Sequence, residues 1–195
     1  GKKENILLMG RTDPNHYGFT EDIHLILQDG DSGLIIREDE LDFDGYPGNI
    51  FIGDFTGDKI PEVKVSIHSG GTSGAELHYI YSYLNNEKNE LALTVDNTPI
   101  FSFIDGYKVR ISNPETRQAY VVNLNDEQKQ VYIENNFQYE PSSYLAYFRD
   151  NILNPIDSDG DGIYELKHET SLVFSANYNS DYIANVETTL AWTGS

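Results

Sequence analysis

Asp157-Ser158-Asp159-Gly160-Asp161-Gly162-Ile163-Tyr164-Glu165 decides how this chain is read. Acidic side chains stand first, third, fifth and ninth in it, with Gly160 and Gly162 between them. A hard divalent cation such as Ca²⁺ takes six to eight oxygens at about 2.3–2.6 Å. A tight turn carries alternate side chains to one concave side, and the two glycines allow a positive φ that a Cβ would penalise. The carbonyl of Ile163, seventh in the loop, then points inward and Glu165 closes the cage. The expected ligands are Asp157, Asp159, Asp161, Glu165 and the Ile163 carbonyl.

A second copy lies upstream as Asp54-Phe55-Thr56-Gly57-Asp58-Lys59-Ile60-Pro61-Glu62. Laid over the first, it matches acids at positions one, five and nine, glycine at four and isoleucine at seven. The expected ligands here are Asp54, Thr56, Asp58, Glu62 and the Ile60 carbonyl. Thr56 offers a neutral hydroxyl where the other loop has an aspartate, and Lys59 brings a positive charge beside the cage. Both copies run into strand-like sequence, Val63 to Ile67 and Leu166 to His168. The copies start at Asp54 and Asp157, 103 residues apart, which makes an internal repeat. Two Ca²⁺ sites are expected, the 157–165 loop being the tighter because it has four acids against three and no adjacent lysine. The plainer alternative is a pair of solvated Asp-Gly turns. An EF-hand is excluded: it needs a Glu twelfth in the loop and helices on both sides, whereas the twelfth residues are Val65 and His168 and the flanks read as strands.

The pattern D-x-[DNT]-G-D-x-x-x-[DE] between apolar strands resembles the calcium loops of FG-GAP/VCBS repeats, found in integrin-type β-propellers and bacterial surface proteins. The string Gly53-Asp54-Phe55-Thr56-Gly57-Asp58-Lys59-Ile60-Pro61-Glu62-Val63, followed by a Gly-rich loop and an aromatic strand, is similar to VCBS-repeat proteins of spore-forming Gram-positive bacteria. The match covers two loops and their flanking strands. It implies calcium in a β-hairpin loop and an extracellular setting, and it implies no activity. Two copies are too few for a seven-bladed propeller.

Acids outnumber bases 32 to 13, a formal net charge of −19, so the basic footprint of a nucleic-acid binder is missing. Attraction to anionic lipid is disfavoured for the same reason. Bound Ca²⁺ would relieve part of the self-repulsion and so stabilise the fold. The chain has no cysteine, which removes disulfides, thiol catalysis and thiolate metal sites. Its apolar runs, such as Ile6 to Met9, are too short for a membrane-spanning helix. The start at Gly1-Lys2-Lys3 fits a leader or anchor removed from an extracellular or cell-surface protein.

Strands are expected at 6–9, 23–27, 34–36, 50–52, 63–67, 77–83, 90–95, 100–104, 107–112, 118–124, 173–174 and 183–192, with Asp29 to Gly33 and Asp105-Gly106 as turns. The acidic run from Glu38 to Asp44 reads as a solvated loop in preference to extra oxygens near the first calcium loop. Ser69 to Gly74 reads as a flexible connection, since it carries neither a phosphate-loop nor a nucleophile-elbow pattern. Leu77, Tyr79, Tyr81 and Tyr83 alternate with His78, Ile80 and Ser82, an aromatic face that either fills a core or stacks on sugars. A helix is expected from Asp126 to Asn135 with Asn125 as its cap. A second is expected from Ser142 to about Asn151, on the shared face of Tyr144, Leu145, Phe148 and Ile152.

The expectation is one domain over 1–195, all-β and mostly antiparallel, with one or two short helices. A small propeller-like assembly of about four blades fits the length, the 103-residue offset equalling two blades, and a β-sandwich is the alternative. The function expected is a non-catalytic, calcium-binding secreted or surface module for a protein or glycan partner, with no nucleic acid and no membrane insertion. The alternative is a glycan-active hydrolase using a carboxylate pair. No pair stands out among 32 acids, and a pocket holding two carboxylates away from the loops would favour the enzyme.

Overall fold

The computed structural model describes residues 3–12, 14–15, 18–70, 75–92, 99–134, 146–175 and 182–192. Among them are thirteen strands and one α-helix. The first sheet is formed by β1 (Glu4–Thr12), β2 (Thr20–Asp29) and β3 (Ile35–Glu40). The second comprises β4 (Asn49–Gly53), β5 (Glu62–His68), β6 (Glu76–Ser82) and β7 (Asn89–Leu91). The third holds β8 (Ile100–Ile104), β9 (Lys108–Ser112) and β10 (Ala119–Asn123), and the fourth holds β11 (Ala146–Ile156), β12 (Glu165–Phe174) and β13 (Tyr182–Leu190). In every sheet, strands adjacent in sequence are adjacent in space. The fold is all-β with antiparallel sheets, and among the described residues no sheet closes on itself. Such meanders follow from short turn-bounded strands, because a hairpin needs only a few loop residues whereas a parallel crossover needs a dozen or more.

The chain forms two compact units: Gly1–Leu93 with Leu153–Lys167 and Thr189–Ser195, and Thr94–Ile152 with His168–Thr188. The first unit's core gathers Ile23, Leu25 and Leu41 with Val63, Val65 and Ile67 of β5 and Tyr81 of β6. Tyr79 stacks on Phe43 at 4.4 Å between ring centroids, and Tyr79, Tyr81 and Tyr83 all belong to this cluster. The aromatic stripe of β6 therefore fills a core. In the second unit, Val109 and Ile111 of β9 pack with Leu124, Ala146, Leu172, Phe174 and Ile183.

Strand β5 is central in its sheet, and its residues Glu62 to Ile67 are all buried. Val63, Val65 and Ile67 supply one face, and Glu62, Lys64 and Ser66 supply the other. A buried polar face needs internal partners, and those partners shape the site described below.

The helix α1 (Asp126–Glu134) starts where expected. Gln128 N–H donates to Asn125 Oδ1 at 2.8 Å, and Asn125 N–H donates to Gln128 Oε1 at 2.7 Å, a reciprocal capping box. The second helix is corrected: residues 146–151 lie in β11, and Ser142 to Leu145 fall outside the described residues. Asp150 holds a positive φ of 61° inside that strand. The strand shows no regular two-residue alternation around it, and Phe148 and Ile152, expected on one helical face, are both half-buried strand residues. The acidic run is corrected in part as well, because Glu38, Asp39 and Glu40 lie in the edge strand β3. There Arg37 donates to both oxygens of Asp39 at 2.6 and 2.8 Å, so the run carries its own counter-charge. The expected strand at 90–95 begins in β7, and 93–95 fall outside the described residues, as do Gly71 to Gly74 and Asn177 to Asn179.

Candidate metal centre

The two acidic loops connect β4 to β5 and β11 to β12, so each sits in a hairpin of a different sheet, the second and the fourth in chain order. Their main chains fold the same way. The first aspartate organises each turn: Gly57 N–H donates to Asp54 Oδ1 at 2.7 Å, and Gly160 N–H donates to Asp157 Oδ1, also at 2.7 Å. The sixth residue donates to the other oxygen of the same carboxylate, Lys59 to Asp54 at 2.8 Å and Gly162 to Asp157 at 3.1 Å. The seventh donates to the fifth, Ile60 to Asp58 at 2.7 Å and Ile163 to Asp161 at 2.8 Å. The second donates to the ninth, Phe55 to Glu62 at 2.8 Å and Ser158 to Glu165 at 3.1 Å. Positive φ falls at the fourth and sixth positions of both loops: 80° and 68° at Gly57 and Lys59, 80° and 88° at Gly160 and Gly162. The repeat seen in sequence is thus a repeat of backbone conformation.

These turns gather the carboxylates. Asp54, Asp58 and Glu62 bring one oxygen each within 4.8 Å of the others, and so do Asp157, Asp159 and Asp161. Oxygens bound at about 2.4 Å around one ion lie at most about 4.8 Å apart, so both groups fit a single Ca²⁺, and all-oxygen donors suit a hard cation. The remaining expected ligands are placed differently in the two loops. Thr56 donates its hydroxyl to Glu62 Oε1 at 3.2 Å. Glu165 stands outside the downstream group and accepts from the Ser158 hydroxyl at 2.8 Å and from its N–H. Those two bonds hold the Glu165 carboxyl below the usual carboxylate range. Ile60 lies between Asp58 and Glu62 and Ile163 two residues past Asp161, each with its N–H tied to the aspartate two residues before.

The electrostatics also differ. Glu62 is only 1% exposed, and burial raises its carboxyl above the usual range. The charges of Asp58 and Asp54 add to that rise, and the bonds from Phe55 and Thr56 oppose it. The downstream carboxylates are all exposed. A divalent cation there would offset the like charge of Asp58 and Asp54 that works against the ionised form of Glu62.

The loops also meet. Tyr164 N–H donates to the Asp54 carbonyl at 2.7 Å, and Asp54 and Ile163 form an isolated parallel bridge. The ring of Tyr164 packs edge-on against Phe51 at 4.9 Å between centroids and lies 6.1 Å from Phe55. Nothing in the sequence announces this junction, because it joins segments 103 residues apart from Asp54 to Asp157.

A polar cluster lies beside Glu62 on the same face of β5. Lys64 donates its ammonium to Ser66, and Ser66 Oγ lies 3.1 Å from His78 Nδ1. Two donors face that nitrogen, so it accepts and the ring proton sits on Nε2, 3.6 Å from Glu76 Oε2. Glu76 also lies 3.2 Å from His68 Nε2. Burial pushes the Lys64 ammonium down to about 8, with Glu76 opposing. Ser66 and Lys64 are each 3% exposed, so the cluster satisfies a buried amine rather than offering a hydroxyl to a substrate. Its sequence signal was Lys-x-Ser facing Glu-x-His across an antiparallel pair, legible only once Ser66 is known to pair with His78.

No described helix is long and apolar enough to cross a membrane. The chain is 28% identical over 182 residues to the uncharacterised protein YybI of Bacillus subtilis (strain 168), an alignment covering 88% of this chain and 68% of that protein. No solved structure matches it. Residues 97–195, which include the downstream acidic loop, α1 and the strands from β8 onward, match the YybI C-terminal domain, and the chain belongs to that family.

Proposed function

We propose that the chain is a non-catalytic, calcium-stabilised module of a secreted or cell-surface protein, presenting a β-rich surface to a protein or glycan. The observation that carries this reading is the shared hydrogen-bond register of the two loops, each gathering three carboxylates spaced for one ion. Asp54, Asp58 and Glu62 would hold one Ca²⁺, with the Ile60 carbonyl and Thr56 completing it. Asp157, Asp159 and Asp161 would hold the other with the Ile163 carbonyl, and Glu165 would join them by exchanging its bonds from Ser158 for the ion. The ion supplies positive charge where a net −19 chain concentrates negative charge, and it fixes two hairpins. The resemblance to FG-GAP/VCBS loops points the same way, and extracellular calcium is high enough to fill sites of modest affinity. A propeller-like arrangement, each sheet one blade, is supported by four meanders of three or four strands.

Isothermal titration of EDTA-stripped protein with Ca²⁺, paired with a thermal melt, tests the reading. Two sites and a raised melting temperature are expected, at about 2.7 kcal/mol per site when free calcium is a hundred times Kd. Asp157→Ala or Asp161→Ala should remove the downstream site and its share of that rise. A melting temperature indifferent to calcium overturns the assignment.

One observation favours the hydrolase alternative. A cavity of about 330 Å³ in the second unit is lined by Asp150, Glu169 and Glu187, none of which belongs to either acidic loop. Single alanine variants at these three, assayed for release of reducing ends from bacterial wall glycans, separate the readings, since a binding module releases none.

A further inference from the structure

We propose that the two acidic loops form one coupled element, in which filling either loop with calcium tightens the other. The proposal rests on the reading of both loops as calcium sites and adds how they are regulated.

Asp54 is the pivot. Its carboxylate accepts the N–H groups of Thr56, Gly57 and Lys59 at 3.1, 2.7 and 2.8 Å, and so sets the shape of the upstream turn. Its carbonyl is held by the downstream loop through the N–H of Tyr164. Tyr164 lies between Ile163, tied to Asp161, and Glu165, tied to Ser158. An ion that fixes Asp161 and the Ile163 carbonyl therefore fixes the peptide whose N–H positions Asp54. Side chains reinforce the link: a Cβ on Gly57 would come within 3.0 Å of Ile163 Cδ1, so the upstream turn sits directly on the downstream isoleucine. The contact among Phe51, Phe55 and Tyr164 closes the junction beneath.

The link is one-sided in its chemistry. The residue of the upstream loop equivalent to Tyr164 is Pro61, which has no N–H to give back. The energetic coupling must nonetheless be reciprocal, because two ligands on one equilibrium change each other's affinity by the same factor. Ordering supplies the mechanism: the first ion bears the entropy of fixing the junction, and the second meets it already fixed.

Pro61 also shows that the eighth position of this turn accepts proline, so Tyr164→Pro removes the donor with little disturbance of the turn, and Tyr164→Ala removes the ring while keeping the donor. Calcium titrations would compare the parent, a variant with Asp157→Asn and Asp161→Asn, and a variant with Asp54→Asn and Asp58→Asn, each with and without Tyr164→Pro. Each loop is expected to bind about fivefold or more weakly when the other is disabled, by matching factors, with the factor falling towards one under Tyr164→Pro and persisting under Tyr164→Ala. Hydrogen exchange on the unmutated protein needs no variant: one equivalent of calcium should protect Gly57 and Lys59 together with Gly160 and Gly162. Affinities that ignore the other loop, or protection of one loop at a time, overturn the coupling and leave the calcium sites standing. A parent that binds no calcium at millimolar concentration overturns the sites and the coupling together.

Discussion

Gly53 lies beneath the ring of Tyr164, so that a Cβ added to it would come within 2.7 Å of Tyr164 Cδ2 and within 2.7 Å of Phe51 Cε1. The glycine at the end of β4 is what lets the two acidic loops close on each other. Gly53→Ala should therefore cost about 1–3 kcal/mol, the usual penalty of forcing a group into a filled contact. Urea denaturation in EDTA measures it without metal linkage. Adding Tyr164→Ala opens the space, so the pair should cost less than the sum of its parts; strict additivity would remove the steric explanation.

Asp54 does two jobs that substitution can separate. Asp54→Ala leaves the N–H groups of Thr56, Gly57 and Lys59 without their acceptor. The loop is largely exposed and water replaces part of what is lost, so about 1 kcal/mol is expected in EDTA. Asp54→Asn keeps one oxygen for Thr56 and Gly57 and should cost less. Calcium binding upstream should fall sharply in both, because both remove the charge. Equal losses of metal-free stability in the two variants would show that the turn does not depend on this carboxylate.

The sequence carried the local rules well and the long-range ones poorly. The loops, the hairpin turns and the Asn125 cap were legible because each depends on residues within a few positions of one another. Asp54 and Tyr164 were not, since neither residue's type requires the other and only the folded chain brings them together. Ser66 and His78 failed for a related reason: pairing register across β5 and β6 is fixed by the whole strand, while the eye sees only a serine and a distant histidine. The strand at 146–151 was missed because Asp150 turns the backbone to positive φ, and a pattern-based reading assumes that alternation is unbroken.

Lys59 is the residue at which the two loops disagree most. It holds φ of 68° where the downstream loop has Gly162 at 88°. A left-handed conformation costs a residue with a Cβ about 1 kcal/mol relative to glycine. Lys59→Gly should thus gain up to about 1 kcal/mol in EDTA, less whatever flexibility it adds to the unfolded chain. It also removes a positive charge next to Asp58, so upstream calcium affinity should rise and approach that of the downstream loop. Titration of this variant with the downstream loop disabled reads the effect directly, and an affinity that stays the same or falls would show that the lysine charge is screened from the site.

His168 gives the fold an acid sensitivity that needs no metal. It is 5% exposed in β12, and burial alone pushes its imidazolium down from the usual histidine value. The unfolded chain takes up this proton near pH 6.5 while the folded chain resists it. Above that pH neither state binds the proton and the residue is neutral in its effect. Below it the unfolded state binds more protons, so stability falls as pH falls, by at most about 1.4 kcal/mol per pH unit. Glu62 acts in the opposite sense, since its raised carboxyl favours the folded state at low pH, but it is common to parent and variant and drops out of their difference. His168→Gln in EDTA should therefore lose less stability than the parent between pH 6.5 and 5.5 and show the same slope above pH 7. Urea midpoints across that range decide it: parallel curves would mean that the buried ring finds a partner for its second proton as readily as water does.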